Sequence, residues 1–103
     1  MNVYLSPLAE KKALLLIEYL EAEWSTKTKE EFVSKLLDKF SQISSQPESC
    51  TESTVFSGLY KYVVTKQTSF FYRIKENEIE VITLADNRQD TKTIKEEIKR
   101  HFG

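Results

Sequence analysis

Four cations punctuate the β-type runs in the second half of the chain: Lys61, Arg73, Lys75 and Arg88. Arginine stays charged at physiological pH, and its planar fork can hold a carboxylate or a phosphate through two hydrogen bonds. Arg88 stands in the run Asp-Asn-Arg-Gln-Asp, just past the last apolar segment, where loops carry function on a rigid scaffold. Its plain alternative is a pair with Asp86 or Asp90. Arg73 lies between Tyr72 and Ile74, so alternation points it to the sheet face opposite the main core. There a binding role and a salt bridge to a glutamate such as Glu80 are equally open. Lys61, between Tyr60 and Tyr62, follows the same alternation. The single histidine, His101, reads as a surface residue, since a general base needs a partner and a pocket.

Other chemistries leave no trace. The chain has no P-loop, no dinucleotide fingerprint, no G-x-S-x-G and no H-x-E deaminase signature. Cys50 is alone and cannot form an internal disulfide, and no His/Cys cluster has the spacing for zinc. No metal and no cofactor are expected.

Charge says more by its distribution than by its sum of −1. Residues 1–46 carry six basic and seven acidic side chains, and residues 47–90 carry five and seven. Residues 91–103 carry four and two, so only the tail is positive. A nucleic-acid binder shows a basic excess on its binding face, and the body of this chain lacks one. The longest apolar run, Ala13 to Ile17, is far too short to span a bilayer, and no basic stretch precedes an apolar one at the N-terminus. A cytoplasmic protein with no membrane partner is expected.

These side chains need a scaffold, and 103 residues make one domain, residues 1–103, with a tail helix at about 91–103. Residues 2–5 read as a short strand with Val3 and Leu5 on one face. Ser6-Pro7 reads as an N-cap followed by proline at the first helical position. That helix runs to about Trp24, with Ala13, Leu16 or Ile17, Leu20 and Trp24 on its apolar side and Trp24 assigned to core or hairpin-turn packing. Thr28 and Glu31 have capping-box spacing for a second helix, whose stripe is Phe32, Val33, Leu36, Leu37, Phe40 and Ile43. Residues 44–47 end it. Residues 48–57 read as a loop that ends near Val55-Phe56.

Three strands follow at about residues 59–65, 69–75 and 78–85, rich in the β-branched and aromatic types that suit a pleated, half-buried surface. Glu76-Asn77 joins the last two, with Asn77 the residue suited to positive φ. Ile94, Ile98 and Phe102 recur at helical spacing in the tail. Tyr60, Tyr62, Tyr72 and Phe71 are expected to pack under that tail helix, with an exposed aromatic patch as the alternative. The fold class is α+β: an N-terminal helical hairpin packed on one face of a twisted antiparallel sheet, in the order β-α-α-β-β-β, plus a C-terminal helix.

The order and wording of several fragments resemble the ParE/RelE superfamily of type II toxin–antitoxin toxins. They are V-Y-L-S-P-L-A-E, I-E-Y-L with a following Trp, Gln46-Pro47, S-G-L-Y-K-Y-V-V, F-F-Y-R-I, I-E-V-I-T-L-A-D and Asn87-Arg88-Gln89-Asp90. The resemblance runs from Val3 to about Asp90. It implies the toxin component of a type II system, a plasmid-stabilisation type of protein neutralised by a cognate antitoxin that folds as it wraps the toxin.

Two mechanisms compete within that superfamily. ParE-like members poison DNA gyrase, whereas RelE-like members cut mRNA on the ribosome and need converging cations around the scissile phosphate. If this chain were a nuclease, its candidates would be Lys61, Arg73 and Arg88. The superfamily often has an arginine before the lysine of the first of these strands, and here Tyr60 stands there. The ParE side is therefore expected, without enzymatic activity, with the ribosome-dependent endonuclease and a detoxified remnant that serves only as a binding module as the alternatives. The residues implied for target or antitoxin binding are Tyr60, Lys61, Arg73, Arg88 and Gln89. Homo-oligomerisation is left open.

Overall fold

A computed structural model describes residues 1–48, 52–53 and 58–102 of the chain. Cys50, the Val55-Phe56 loop end and the side chain of Phe102 lie outside the described residues. Strand β1 (Asn2–Leu5) leads directly into helix α1 (Pro7–Glu23), and helix α2 (Thr26–Ser45) returns beside it. Strands β2 (Tyr60–Val63), β3 (Thr68–Lys75) and β4 (Glu78–Asp86) follow, and helix α3 (Thr91–Phe102) closes the chain.

Local chemistry sets the helix ends. Ser6 is the N-cap of α1, its hydroxyl accepting from the Ala9 N–H at 3.0 Å, with Pro7 in the first position. The start of α2 differs from the expected Thr28 cap. Ser25 takes that role instead, in an extended conformation, and its hydroxyl accepts from the Thr28 N–H at 3.0 Å. Serine is the stronger cap of the two, so the helix begins at Thr26 and Thr28 falls inside its first turn.

The sheet order is β1-β4-β3-β2. The last three strands form the expected antiparallel meander, while β1 pairs with β4 in parallel, Val3 opposite Ile79 and Leu5 opposite Val81. The sheet is therefore mixed. In the Glu76-Asn77 turn the positive φ falls on Glu76, at +58°, and not on Asn77. A positive φ at the first central residue alone is the pattern of a type II′ hairpin, which suits the twist of the flanking strands.

Alternation along β3 divides the core in two. Phe70 and Tyr72, with Ile79, Val81 and Leu84 of β4, face the hairpin and meet Ala9, Ala13, Phe32, Leu36 and Ile43. Phe71, between them, faces the other way with Ile82 and Ala85, and Ile94 of α3 covers it. The hairpin thus packs on one face, and α3 covers Phe71, Ile82 and Ala85 on the other. A bulge at Phe71/Tyr72, where β4 skips Ile82, lets Val81 and Leu84 point to one face although three residues apart. Tyr72 and Phe70 are fully buried. Loss of Phe70 to alanine would cost about 3–5 kcal/mol, enough to unfold many domains of this size.

The expected aromatic cluster divides along the same line. Only Phe71 packs beneath α3. Tyr60, Tyr62 and Tyr72 lie on the hairpin side, because residues two apart on a strand share a face. The Tyr60 and Tyr72 rings stack with centroids 5.3 Å apart, and the Tyr72 hydroxyl donates to the Pro47 carbonyl at 2.8 Å.

Candidate functional site at the end of the sheet

Beyond β4 the chain folds back on itself by side-chain hydrogen bonds. The Asp86 carboxylate accepts from the Arg88 backbone N–H at 2.8 Å, from its Nε at 3.0 Å and from its Nη2 at 2.7 Å. Gln89 closes the turn twice: its N–H donates to the Asp86 carbonyl at 2.9 Å, and its Oε1 accepts from the Asp86 N–H at 3.2 Å. Asp90 then receives the start of α3, its carboxylate accepting from the Lys92 N–H at 3.0 Å. The side-chain bonds from Arg88, then its backbone N–H, hold the Asp86 carboxyl well below its ordinary range, at about 2. The same bond raises the Arg88 guanidinium above its usual value.

Asn87 is the residue that sequence reading missed. Its N–H donates to the Gln67 carbonyl at 2.7 Å, its Nδ2 donates to the Lys66 carbonyl at 3.1 Å, and its Oδ1 accepts from the Ser69 hydroxyl. It locks the β2–β3 connection to the end of β4. The available signal was the strand-ending Asp-Asn pair, since these residues bond their neighbours' backbone in turns.

Two concavities meet at Asp86. A groove of about 460 Å³ runs between the turn end of the hairpin and the sheet. Tyr19, Leu20 and Trp24 wall it on the α1 side, Phe32 and Lys35 on the α2 side, and Gln67, Asp86 and Arg88 at its sheet end. On the other face of the sheet a cleft of about 90 Å³ under α3 is lined by Lys61, Phe71, Asn87, Gln89 and Ile94, again with Asp86. Trp24 stands in the hairpin turn, one of its two expected places, but its side chain is 69% exposed at the groove and not packed in the core. As the C-cap it lies beyond the last helical turn, so the α1 periodicity no longer aims its ring at the sheet.

The sequence-nominated cations are not gathered round one point. Arg88 opens onto the groove, and Lys61 onto the cleft. Arg73 directly faces Glu80 across β3 and β4, with Nε at 2.7 Å and Nη2 at 2.6 Å from Oε1 of a nearly buried carboxylate. Of the two outcomes open for Arg73, its guanidinium takes the salt bridge. Tyr60 contributes to the hairpin-side core, and Gln89 to the turn. Among the described residues, no group of three His, Cys, Asp or Glu side chains could hold a metal ion, and no helix is long and apolar enough to cross a membrane.

This arrangement has clear relatives. The model of the ParE toxin of the type II toxin–antitoxin system parDE matches residues 3–91. The chain belongs to the ParE toxin family. A search of curated proteins finds no match. Among solved structures, the chain is similar in fold to the chromosomal ParDE toxin–antitoxin system from P. aeruginosa. The TM-score is 0.71 at 10% identity, covering 84% of this chain and 95% of that one. It is also similar to the YoeB dimer from Staphylococcus aureus, with a TM-score of 0.58 at 14% identity, covering 86% and 98%. At such identities the likeness is one of fold: the α+β order β-α-α-β-β-β-α with a mixed four-stranded sheet is that of ParE-family toxins.

Proposed function

We propose that this ParE-family chain is a cytoplasmic toxin that acts by binding a protein target, without cutting a substrate, and that a cognate antitoxin neutralises it. DNA gyrase is the target this reading favours, on the strength of the family alone. The observation that carries the non-enzymatic part is the state of the cations. Arg73 and Arg88 each spend their fork on a carboxylate, and Lys61 and Arg88 serve different concavities. A phosphoryl-transfer site needs donors converged on the developing charge, and three dispersed cations beside Glu80 and Asp86 make a poor one. Binding by contrast suits the surface at hand: an apolar-walled groove with Tyr19 and Trp24 exposed at its rim and the Asp86–Arg88 pair at its end.

The test is gyrase supercoiling with the purified chain, alone and after mixing with the small protein encoded beside it. Inhibition relieved by that protein supports both target and antitoxin. A stable complex with the neighbour but no effect on gyrase keeps the antitoxin and discards the target. Failure of the two proteins to associate at micromolar concentration removes the antitoxin reading.

A further inference from the structure

The outer face of α3 concentrates positive charge in a molecule that is otherwise acidic. Helix α3 carries four cations against two carboxylates, and the rest of the chain carries eleven against fourteen. Ile94 and Ile98 anchor the helix to the sheet, which turns Lys92, Lys95 and Lys99 outward. All three are exposed, and their i, i+3, i+7 spacing sets them in one line about 10 Å long. Arg100 flanks the line on the same outward half. One of the two carboxylates is removed from this face: Glu97 turns inward and accepts from Lys12 of α1 at 2.6 Å. Only Glu96 is left to oppose four outward cations.

We infer that this stripe binds the phosphodiester backbone of nucleic acid, independently of any protein target the groove takes. Three features select that occupant over an acidic protein surface. Lysine is depleted in protein–protein interfaces, which rely on aromatic and arginine anchors, and the described outer face of α3 carries no aromatic side chain. Lysine ammonium groups are mobile point charges that suit a repeating polyanion better than a single fixed carboxylate. The acidic remainder of the molecule repels the same polyanion, so only the α3 face can approach it. The contact is one of position and not of sequence, since backbone contacts carry no base readout.

The experiment is fluorescence anisotropy of the purified chain with labelled duplexes of about 20 base pairs, one DNA and one RNA, from about 25 to 200 mM potassium chloride. Binding is expected to weaken steeply with salt, with a log–log slope of about −2 to −4 for three or four neutralised phosphates. The variant Lys92→Glu/Lys95→Glu/Lys99→Glu should lose at least about tenfold in affinity at the lowest salt, as removal of three phosphate contacts requires. The control Lys11→Glu/Lys27→Glu/Lys66→Glu makes the same change in net charge away from α3 and should lose far less. Thermal melts of both variants establish that each is folded. Equal loss in the two variants, undiminished binding by the α3 variant, or no binding by the wild type at the lowest salt would each overturn the proposal. The DNA and RNA arms decide which polymer the stripe prefers.

Discussion

The Ser6 hydroxyl donates to the Ile82 carbonyl at 2.7 Å, and so ties the start of the hairpin to the bulge in β4. The same oxygen accepts from Ala9 N–H, and the Ser6 N–H donates to the Val81 carbonyl at 2.9 Å. Ser6 is fully buried: its hydroxyl caps α1 and satisfies Ile82, the residue that the β3–β4 ladder skips, while its backbone N–H extends the β1–β4 pairing. Ser6→Ala removes the cap and a partner of Ile82 together, and should cost about 1–3 kcal/mol. Urea unfolding measures it. A loss no larger than that of an exposed surface substitution would show that the hydroxyl is replaceable by water.

Glu76 is the one described non-glycine residue with positive φ. A side chain in that region is strained, whereas glycine adopts it freely. Glu76→Gly is expected to stabilise the fold by about 0.5–1 kcal/mol, and Glu76→Val to destabilise it. Chemical denaturation of the pair reads the sign directly.

How far the sequence disclosed this molecule depends on the range of each signal. Strand β1 and the meander strands were legible within a residue or two, because alternation of Phe70, Phe71 and Tyr72 is local. The parallel pairing of β1 with β4 was not, since Val3 and Ile79 meet through contacts far apart in the chain. The start of α2 failed because two candidate caps, Ser25 and Thr28, stand three residues apart, and backbone geometry chose between them. At the site, Arg88 with Asp86 and Arg73 with Glu80 were both visible as pairings, from separations of two and seven residues. For Asn87 the Asp-Asn pair hinted at a turn, but not at its partners Lys66, Gln67 and Ser69, which lie about twenty residues back at the start of β3 and the turn before it.

The low pKa of Asp86 makes a prediction with a definite sign. A carboxyl near 3.9 in the unfolded chain and about 2 in the native state adds stability above the unfolded value. That increment fades as pH falls from about 4 through about 2. An NMR titration should place the Asp86 carboxyl midpoint near about 2 in the wild type and return it toward 3.9 in Arg88→Ala. A wild-type midpoint near 4 would show that the Arg88 contacts do not persist in solution.

Arg73 and Arg88 should separate cleanly under mutation. The Arg73 pair has a nearly buried carboxylate, side-chain exposure 11%, whereas the Arg88 side chain is 77% exposed. Arg73→Ala should cost about 1–2 kcal/mol by stranding Glu80. Arg88→Ala should cost no more than about 1 kcal/mol, because both side chains of its pair are open to solvent, yet weaken growth inhibition when the protein is expressed without its antitoxin. A large loss of stability in Arg88→Ala, with toxicity per folded molecule intact, would make that residue a structural cap and move the active surface elsewhere.

Whether this toxin works without cutting RNA is decided most directly by mapping mRNA 5′ ends in a translating extract to which the purified chain has been added. With cations dispersed between groove, cleft and the Glu80 pair, the expected result is a map identical to that of the untreated extract. New ends at fixed codon positions that vanish with Arg73→Ala, in a variant shown to be folded, would contradict the account and make the chain a ribosome-dependent endonuclease.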